Sequence, residues 1–167
     1  MVESDRGRGL LAAWRTSSRV TAFLIEHVPD EIWRATIPGA PRRTVQMVAG
    51  HLHNARCMWV HMLGRRHGLT APRRVDRRRV SRRELRAALV QSARAINRLL
   101  EVGLAHDGHL AGFSPPDVTH FFAYHVAHEG HHRGQIVMVA RQLGRRLPAE
   151  VTHGLWQWGR RARERSR

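Results

Sequence analysis

Apolar residues recur along this chain in four long stretches with helical spacing. From about Gly9 to His27 the positions Leu10, Leu11, Trp14, Val20, Phe23 and Leu24 share one side of a helix, Val28 extends it, and Pro29 follows. A second face is made by Val45, Val48, Ala49, Leu52, Ala55, Trp59, Met62 and Leu63. It predicts a helix from Thr44, a good N-cap residue, to about Arg66, ended by His67-Gly68. Ser81 with Glu84 has the form of a capping box and opens a third helix to about Leu104, with Leu85, Leu89, Ala93, Ile96, Leu99 and Leu100 facing inward. Ser114-Pro115-Pro116-Asp117 reads as the start of the fourth: a serine cap, proline at the first helical position and an acid in the first turn. That helix carries Val118, Phe121, Ile136, Val139 and Leu143 and closes at Gly144. A last amphipathic piece, GLWQWGRRARERS, is expected to lay Trp156 and Trp158 near the bundle. The segment between Pro29 and Pro41 reads as a connection with one short turn around Ile32 and Trp33, and no strand alternation stands out. The expectation is a single all-α domain over residues 1–167, a four-helix bundle with a short C-terminal helix and a basic tail from about residue 160.

Composition narrows this picture without redirecting it. At 167 residues with 42% hydrophobic content the chain can bury a proper core. The single cysteine, Cys57, excludes an internal disulfide and a cysteine-rich zinc module. The N-terminal residues MVESDRGRGLLAAW lack a leader's long apolar run, and no stretch is long and apolar enough to span a membrane, so the expected location is the cytoplasm. The formal charge of +16 invites a nucleic-acid reading, yet all 29 basic residues are arginine, a bias that a G+C-rich genome produces by itself. The densest cluster, Arg73, Arg74, Arg77, Arg78, Arg79, Arg82 and Arg83, has no interleaved aromatics to stack on bases, and it reads as a solvated loop. Arg160, Arg161, Arg163, Arg165 and Arg167 make the basic tail.

The chemistry lies in the fourth helix, where YHVAHEGHHRGQ places His125, His128 and His132 on the apolar stripe. One buried imidazole is satisfied by a backbone carbonyl; three on one stripe call for a shared partner, and a metal ion is the economical one. His128 and His132 stand one turn apart and can converge on one ion, with a third ligand from the second helix, where His51 and His53 sit on opposite shoulders. Imidazole suits zinc, nickel, copper and ferrous iron. His125 reads as a fourth ligand, a group behind the ligands, or a packing residue. His131, His61, His106 and His109 read as surface. Glu129 reads either as a partner of a ligand or of metal-bound water, hence a catalytic candidate, or as a surface acid paired with Arg133. His128-Glu129-Gly130-His131-His132 also satisfies the zincin H-E-x-x-H pattern, but Gln135 replaces the glycine of the metzincin extension and no peptide-binding sheet is predicted. Cys57 points away from the histidine side of its helix.

Two stretches, GHLHNARCMW and HEGHHRGQIVMVARQLG, resemble the DinB-like (YfiT-like) superfamily of metal-dependent bacterial proteins. The resemblance implies an up-down-down-up four-helix bundle, often a homodimer, with a three-histidine metal site. Carried over by position, the ligands are His51, His128 and His132, which selects His51 over His53. Arg133, Gly134 and Gln135 match the motif, with Gly134 read as permitting close helix approach. Members with assigned activities use a metal to activate a thiol or water. The leading expectation is therefore a metalloenzyme holding a divalent ion (zinc, nickel or iron) and acting by hydrolysis or thiol S-transfer on a small molecule, with a low-molecular-weight thiol as a possible co-substrate. The alternative is a basic nucleic-acid-associated protein with a structural metal site, and a zincin-type protease is third.

Overall fold

A computed structural model describes residues 5–164; Arg165 and Arg167 of the expected basic tail, and the first four residues of the N-terminal stretch, lie outside them. The described chain is mostly helical: α1 (Asp5–His27), α2 (Asp30–Trp33), α3 (Val45–Trp59), α4 (Arg82–Ala105), α5 (Val118–Gln142), α6 (Ala149–Gly154) and α7 (Trp158–Arg163). Thr44 caps α3 by accepting from the Met47 amide, and the Ser81–Glu84 capping box forms at the head of α4. Beyond Trp59, α3 continues as a π-helical turn (Val60–Gly64) and a 3-10 turn (Arg65–His67), closed by Gly68 at φ 70°.

Three boundaries differ from expectation. The fourth helix starts at Val118 with Asp117 as its cap, because the Asp117 carboxylate accepts from the His120 amide. Ser114 and Pro115 precede it. Between α2 and α3 lies a small antiparallel hairpin, β1 (Thr36–Ile37) and β2 (Ala40–Thr44), turning at Gly39 with φ 75°. Its strands are too short to show a period of two. At the C-terminus Trp156 is 83% exposed rather than packed on the bundle, Trp158 is partly buried and Val151 is buried. Arg161 is buried too, its guanidinium 4.2 Å over the Phe23 ring.

Side-chain pairs fix how the long helices run. Trp14 donates to the Ala93 carbonyl and Arg86 pairs with Glu26, so α4 runs opposite to α1. Trp14 meets His125 and Thr21 meets Glu129, so α5 runs along α1. His51 faces His128 and His132 while Trp59 faces Phe121, so α3 opposes α5. Gln46 reaches Val80 and Arg56 reaches Leu89, so α4 runs along α3. That last relationship requires the chain to return between the two helices. The arginine-rich segment 68–80 does so as a strap laid back along α3: His53 binds the Arg73 carbonyl (2.9 Å) and Asn54 holds both the amide and the carbonyl of Val75 (2.9 and 3.0 Å). The expected free loop is therefore pinned, although its arginines remain exposed.

The core has two apolar lobes. One gathers Leu24, Val28, Val48, Leu52, Leu85, Leu89, Ile136 and Val139; the other gathers Leu11, Trp14, Val60, Leu63, Ile96, Leu100, Val118 and Phe121. Between them every long helix contributes polar side chains to one buried layer: Ser17 and Thr21 from α1, Arg56 from α3, Ser92 from α4, His125 and Glu129 from α5.

Candidate metal centre

At the level of that layer, on the seam between α3 and α5, His51, His128 and His132 converge. Each offers one ring nitrogen, and the three atoms lie within 4.8 Å of one another. The His51 and His128 Nε2 atoms are 3.2 Å apart. Two imidazoles bound tetrahedrally to one zinc, at about 2.0–2.1 Å each, would hold their nitrogens about 3.3 Å apart, so this pair already has the spacing of co-ligands. His51 and His128 are half-buried and His132 is buried, which leaves one side of the cluster open.

The surroundings keep all three rings neutral, as metal ligation requires. Burial lowers the pKa of each, and His51 falls to about 4 through burial, its two histidine neighbours and the charges of Arg77 and Arg43. The tautomer of His132 is fixed as well. Its Nδ1–H donates to Gln135 Oε1 at 2.7 Å, which leaves the lone pair on Nε2. Gln135 thus orients one of the three converging imidazoles, a role its spacing of three from His132 on a helix could have suggested. Tyr124, one turn before His128, stacks its ring on that imidazole at 5.7 Å and 15°. The donor set of neutral nitrogens, oriented and partly desolvated, fits a divalent transition ion.

His53 lies outside this cluster. It is fully buried, holds the strap at Arg73, and has Cys57 Sγ 3.3 Å from its Nε2. Burial drives the Cys57 thiol up to about 11, so it is not a reactive nucleophile at neutral pH. His125 is placed away from the ligands, packed edge-on to Trp14 (5.5 Å) and Phe121 (4.6 Å), with neither ring nitrogen hydrogen-bonded to another described residue. His61, His106, His109 and His131 are exposed. Gly134 does not mediate helix contact, since a Cβ there would meet nothing within 4 Å.

The surface reading of Glu129 is corrected. Its side chain is 1% exposed, and Arg56 rather than Arg133 is its main partner: Arg56 Nε donates to Oε1 at 2.7 Å and Thr21 Oγ1 to Oε2 at 2.7 Å, with Arg133 at 3.7 Å. Both carboxylate oxygens are thereby engaged within the polar layer. A zincin requires this glutamate to serve the ion and a sheet to hold the peptide, whereas the sheet among the described residues is one short hairpin. Arg56, the centre of the layer, was hidden from sequence reasoning because it reads as a stray charge on an apolar face. A cavity of about 900 Å³ between α1 and α4, floored by Trp14, includes none of the three ligands.

Among the described residues no helix is long and apolar enough to cross a membrane. No curated protein and no solved structure matches this chain. The DinB family matches it over residues 1–159, which takes in both histidine-bearing helices, and by that match the chain belongs to the DinB family.

Proposed function

We propose that this protein is a cytoplasmic metal-dependent enzyme, a four-helix bundle of up-down-down-up course, in which His51, His128 and His132 hold one divalent ion (zinc, nickel or iron). The observation that carries the reading is the convergence of three oriented neutral imidazoles from two helices, with one side open to solvent. Three protein ligands and an open side are the pattern of catalytic rather than structural sites. The helix pairings support the bundle, and family membership supports the metal.

When bound, such an ion lowers the pKa of a water or thiol and supplies a nucleophile near neutral pH. The chain's own residues do the rest. Gln135 holds the proton of His132 on Nδ1, and the strap is bonded to α3 at His53 and Asn54. Glu129 is committed to Arg56, so proton transfer falls to solvent or to the substrate itself rather than to a protein carboxylate on this helix. The reaction class we propose is hydrolysis or thiol S-transfer on a small molecule, with a low-molecular-weight thiol as one substrate, in a homodimeric protein.

Elemental analysis of purified protein tests the site: wild type is expected to retain one divalent ion per chain, and His51→Ala, His128→Ala and His132→Ala to lose it. Equal metal content in wild type and His128→Ala would sink the assignment. Turnover of activated esters and of thiol–electrophile pairs by metal-loaded protein, abolished by a chelator and restored by metal, separates the two reaction classes.

A further inference from the structure

The groove between α1 and α4 holds about 900 Å³, a volume within the range of small-molecule sites, and it lies apart from the three histidines. Its charge is organised along its length. Near one end Arg86 of α4 reaches Glu26 of α1 at 3.2 Å. Near the other Arg15 donates to Asn97 Oδ1 (3.4 Å), and the Asn97 amide donates to Glu101 (2.6 Å). Both ends therefore satisfy their charges across the groove. The stretch between them does not. Arg94 of α4 and Arg160 of α7 line the same cavity, and among the described residues neither has a hydrogen-bond or ion-pair partner.

The wall that carries Arg160 is fixed by packing. Arg19 Nη1 donates to the Arg161 and Ala162 carbonyls (3.2 and 3.0 Å), which ties the last turn of α7 to α1. The Phe23 ring is held between the Arg161 guanidinium, 4.2 Å over its centre, and Gly154, where a Cβ would lie 2.5 Å from two ring carbons. The missing side chain at Gly154 is what lets α6 settle on α1. Arg161 itself is 4% exposed and lines the groove; its Nη1 pairs with Glu164 at 2.9 Å, while its Nε has no hydrogen-bond partner among the described residues. A buried donor is thus left open on this wall, where an acceptor is favoured. Beside the cations the lining is small or apolar and partly exposed: Ala22 and Phe23 from α1, Val90 and Ala93 from α4.

We propose that this groove is a second ligand site, which takes a small anion with a flat apolar body: its carboxylate or phosphate is bound by Arg94 and Arg160, and its body lies against Phe23 and Val90. Guanidinium groups suit both parts, since they bind oxyanions through two donors and stack on flat rings. A second copy of the chain is a poor occupant, because two such grooves face to face would oppose unpaired arginines. The site is independent of the metal reading. Trp14, on the groove floor, meets His125 at 5.5 Å on its other side, so the buried polar layer lies between the groove and the three histidines.

Isothermal titration calorimetry of the full chain tests the site with 2-naphthoate, 2-naphthyl phosphate and the neutral 2-naphthamide, at about 0.15 M salt, where charges beyond roughly 8 Å are screened. At least one anion is expected to bind saturably, one per chain, and the amide about tenfold more weakly or not at all; the tighter anion names the head group. Arg94→Ala and Arg160→Ala are each expected to weaken the anion about tenfold, as loss of a charge-assisted contact does. Ala22→Trp, which fills the groove without changing its charge, should abolish binding. Arg141→Ala removes the same charge from α5, outside the groove, and should alter affinity less than about twofold. His128→Ala should bind as wild type does. Binding of neither anion, equal weakening in Arg141→Ala, full affinity in Ala22→Trp or in both groove arginine variants, or the amide binding as tightly as 2-naphthoate overturns the proposal. Loss of binding in His128→Ala overturns it too, by placing the anion at the histidines, and none of these results touches the metal reading.

Discussion

Arg56 and Glu129 meet across the seam between α3 and α5, with Nε and Nη2 each 2.7 Å from the same carboxylate oxygen and both side chains 1% exposed. Each sits on the helix that also supplies a metal-ligand candidate, and Glu129 adjoins His128 in sequence. The pair therefore sets the rotation of both helices, and with it the direction in which His51, His128 and His132 face. Arg56 Nη1 further donates to the Leu89 carbonyl (3.0 Å), and its guanidinium lies 5.0 Å over the Trp14 ring, so one side chain on α3 reaches α1, α4 and α5.

Breaking this pair from one side leaves a buried charge without its partner. Glu129→Ala and Arg56→Ala are each expected to lose about 3–5 kcal/mol of stability in urea unfolding. Replacing both with apolar residues, as in Arg56→Met with Glu129→Leu, should recover much of that loss, because two desolvation costs disappear along with the attraction. A double variant less stable than both single variants would show that the layer does more than satisfy itself.

Two helical glycines should respond to alanine with opposite signs. At Gly134 a Cβ meets nothing within 4 Å, so Gly134→Ala gains helix propensity, on the order of 0.5–1 kcal/mol. At Gly103 the same atom would lie 2.8 Å from Val118 Cγ2 and 2.9 Å from its Cβ, where α4 meets the start of α5. A side-chain rotation does not move Cβ, so Gly103→Ala is expected to cost about 1–3 kcal/mol despite the propensity gain. Thermal unfolding of the two variants reads both signs.

The helices were legible because their stabilising faces are local: Val45 to Leu63 and Leu85 to Leu100 repeat with the helical period, and Thr44 and Ser81 announce the starts. The pairing of His128 and His132 was legible for the same reason, both residues lying on one helix. The choice between His51 and His53 was not, since the two differ by their partners, and the partner of His53 is a carbonyl on the distant strap. Arg56 and Glu129 were illegible likewise, because a lone charge on a helix looks solvated until the opposing helix supplies its counterion. The hairpin escaped because two residues of β1 cannot display alternation.

The strap can be loosened without touching the three histidines. Asn54→Ala removes both bonds to Val75, and hydrogen exchange at the Val75 amide is expected to accelerate by about 10- to 100-fold while amides in the middle of α5 keep their protection. His53→Ala frees the Arg73 carbonyl and should leave bound metal unchanged, unlike His51→Ala. Loss of metal in His53→Ala by elemental analysis would reassign the third ligand.

The polar layer also sets how the metal-free protein responds to acid. His125 is 1% exposed, and burial first, then the Arg56 charge, holds its pKa well below the ordinary 6.5. His53 is shifted in the same direction by burial. The folded protein keeps these rings neutral where the unfolded chain protonates them, so the unfolded state binds more protons below pH 6.5. Their contribution is intact above pH 6.5 and is lost as pH falls toward their folded values, at about 1.4 kcal/mol per pH unit for each proton taken up. His125→Leu replaces the ring with an apolar side chain against Trp14 and Phe121. It should flatten the decline of stability between about pH 6 and pH 5 by close to one proton's worth. Urea unfolding at half-unit pH steps measures that slope, and an unchanged slope in the variant would mean that His125 is protonated in the folded state.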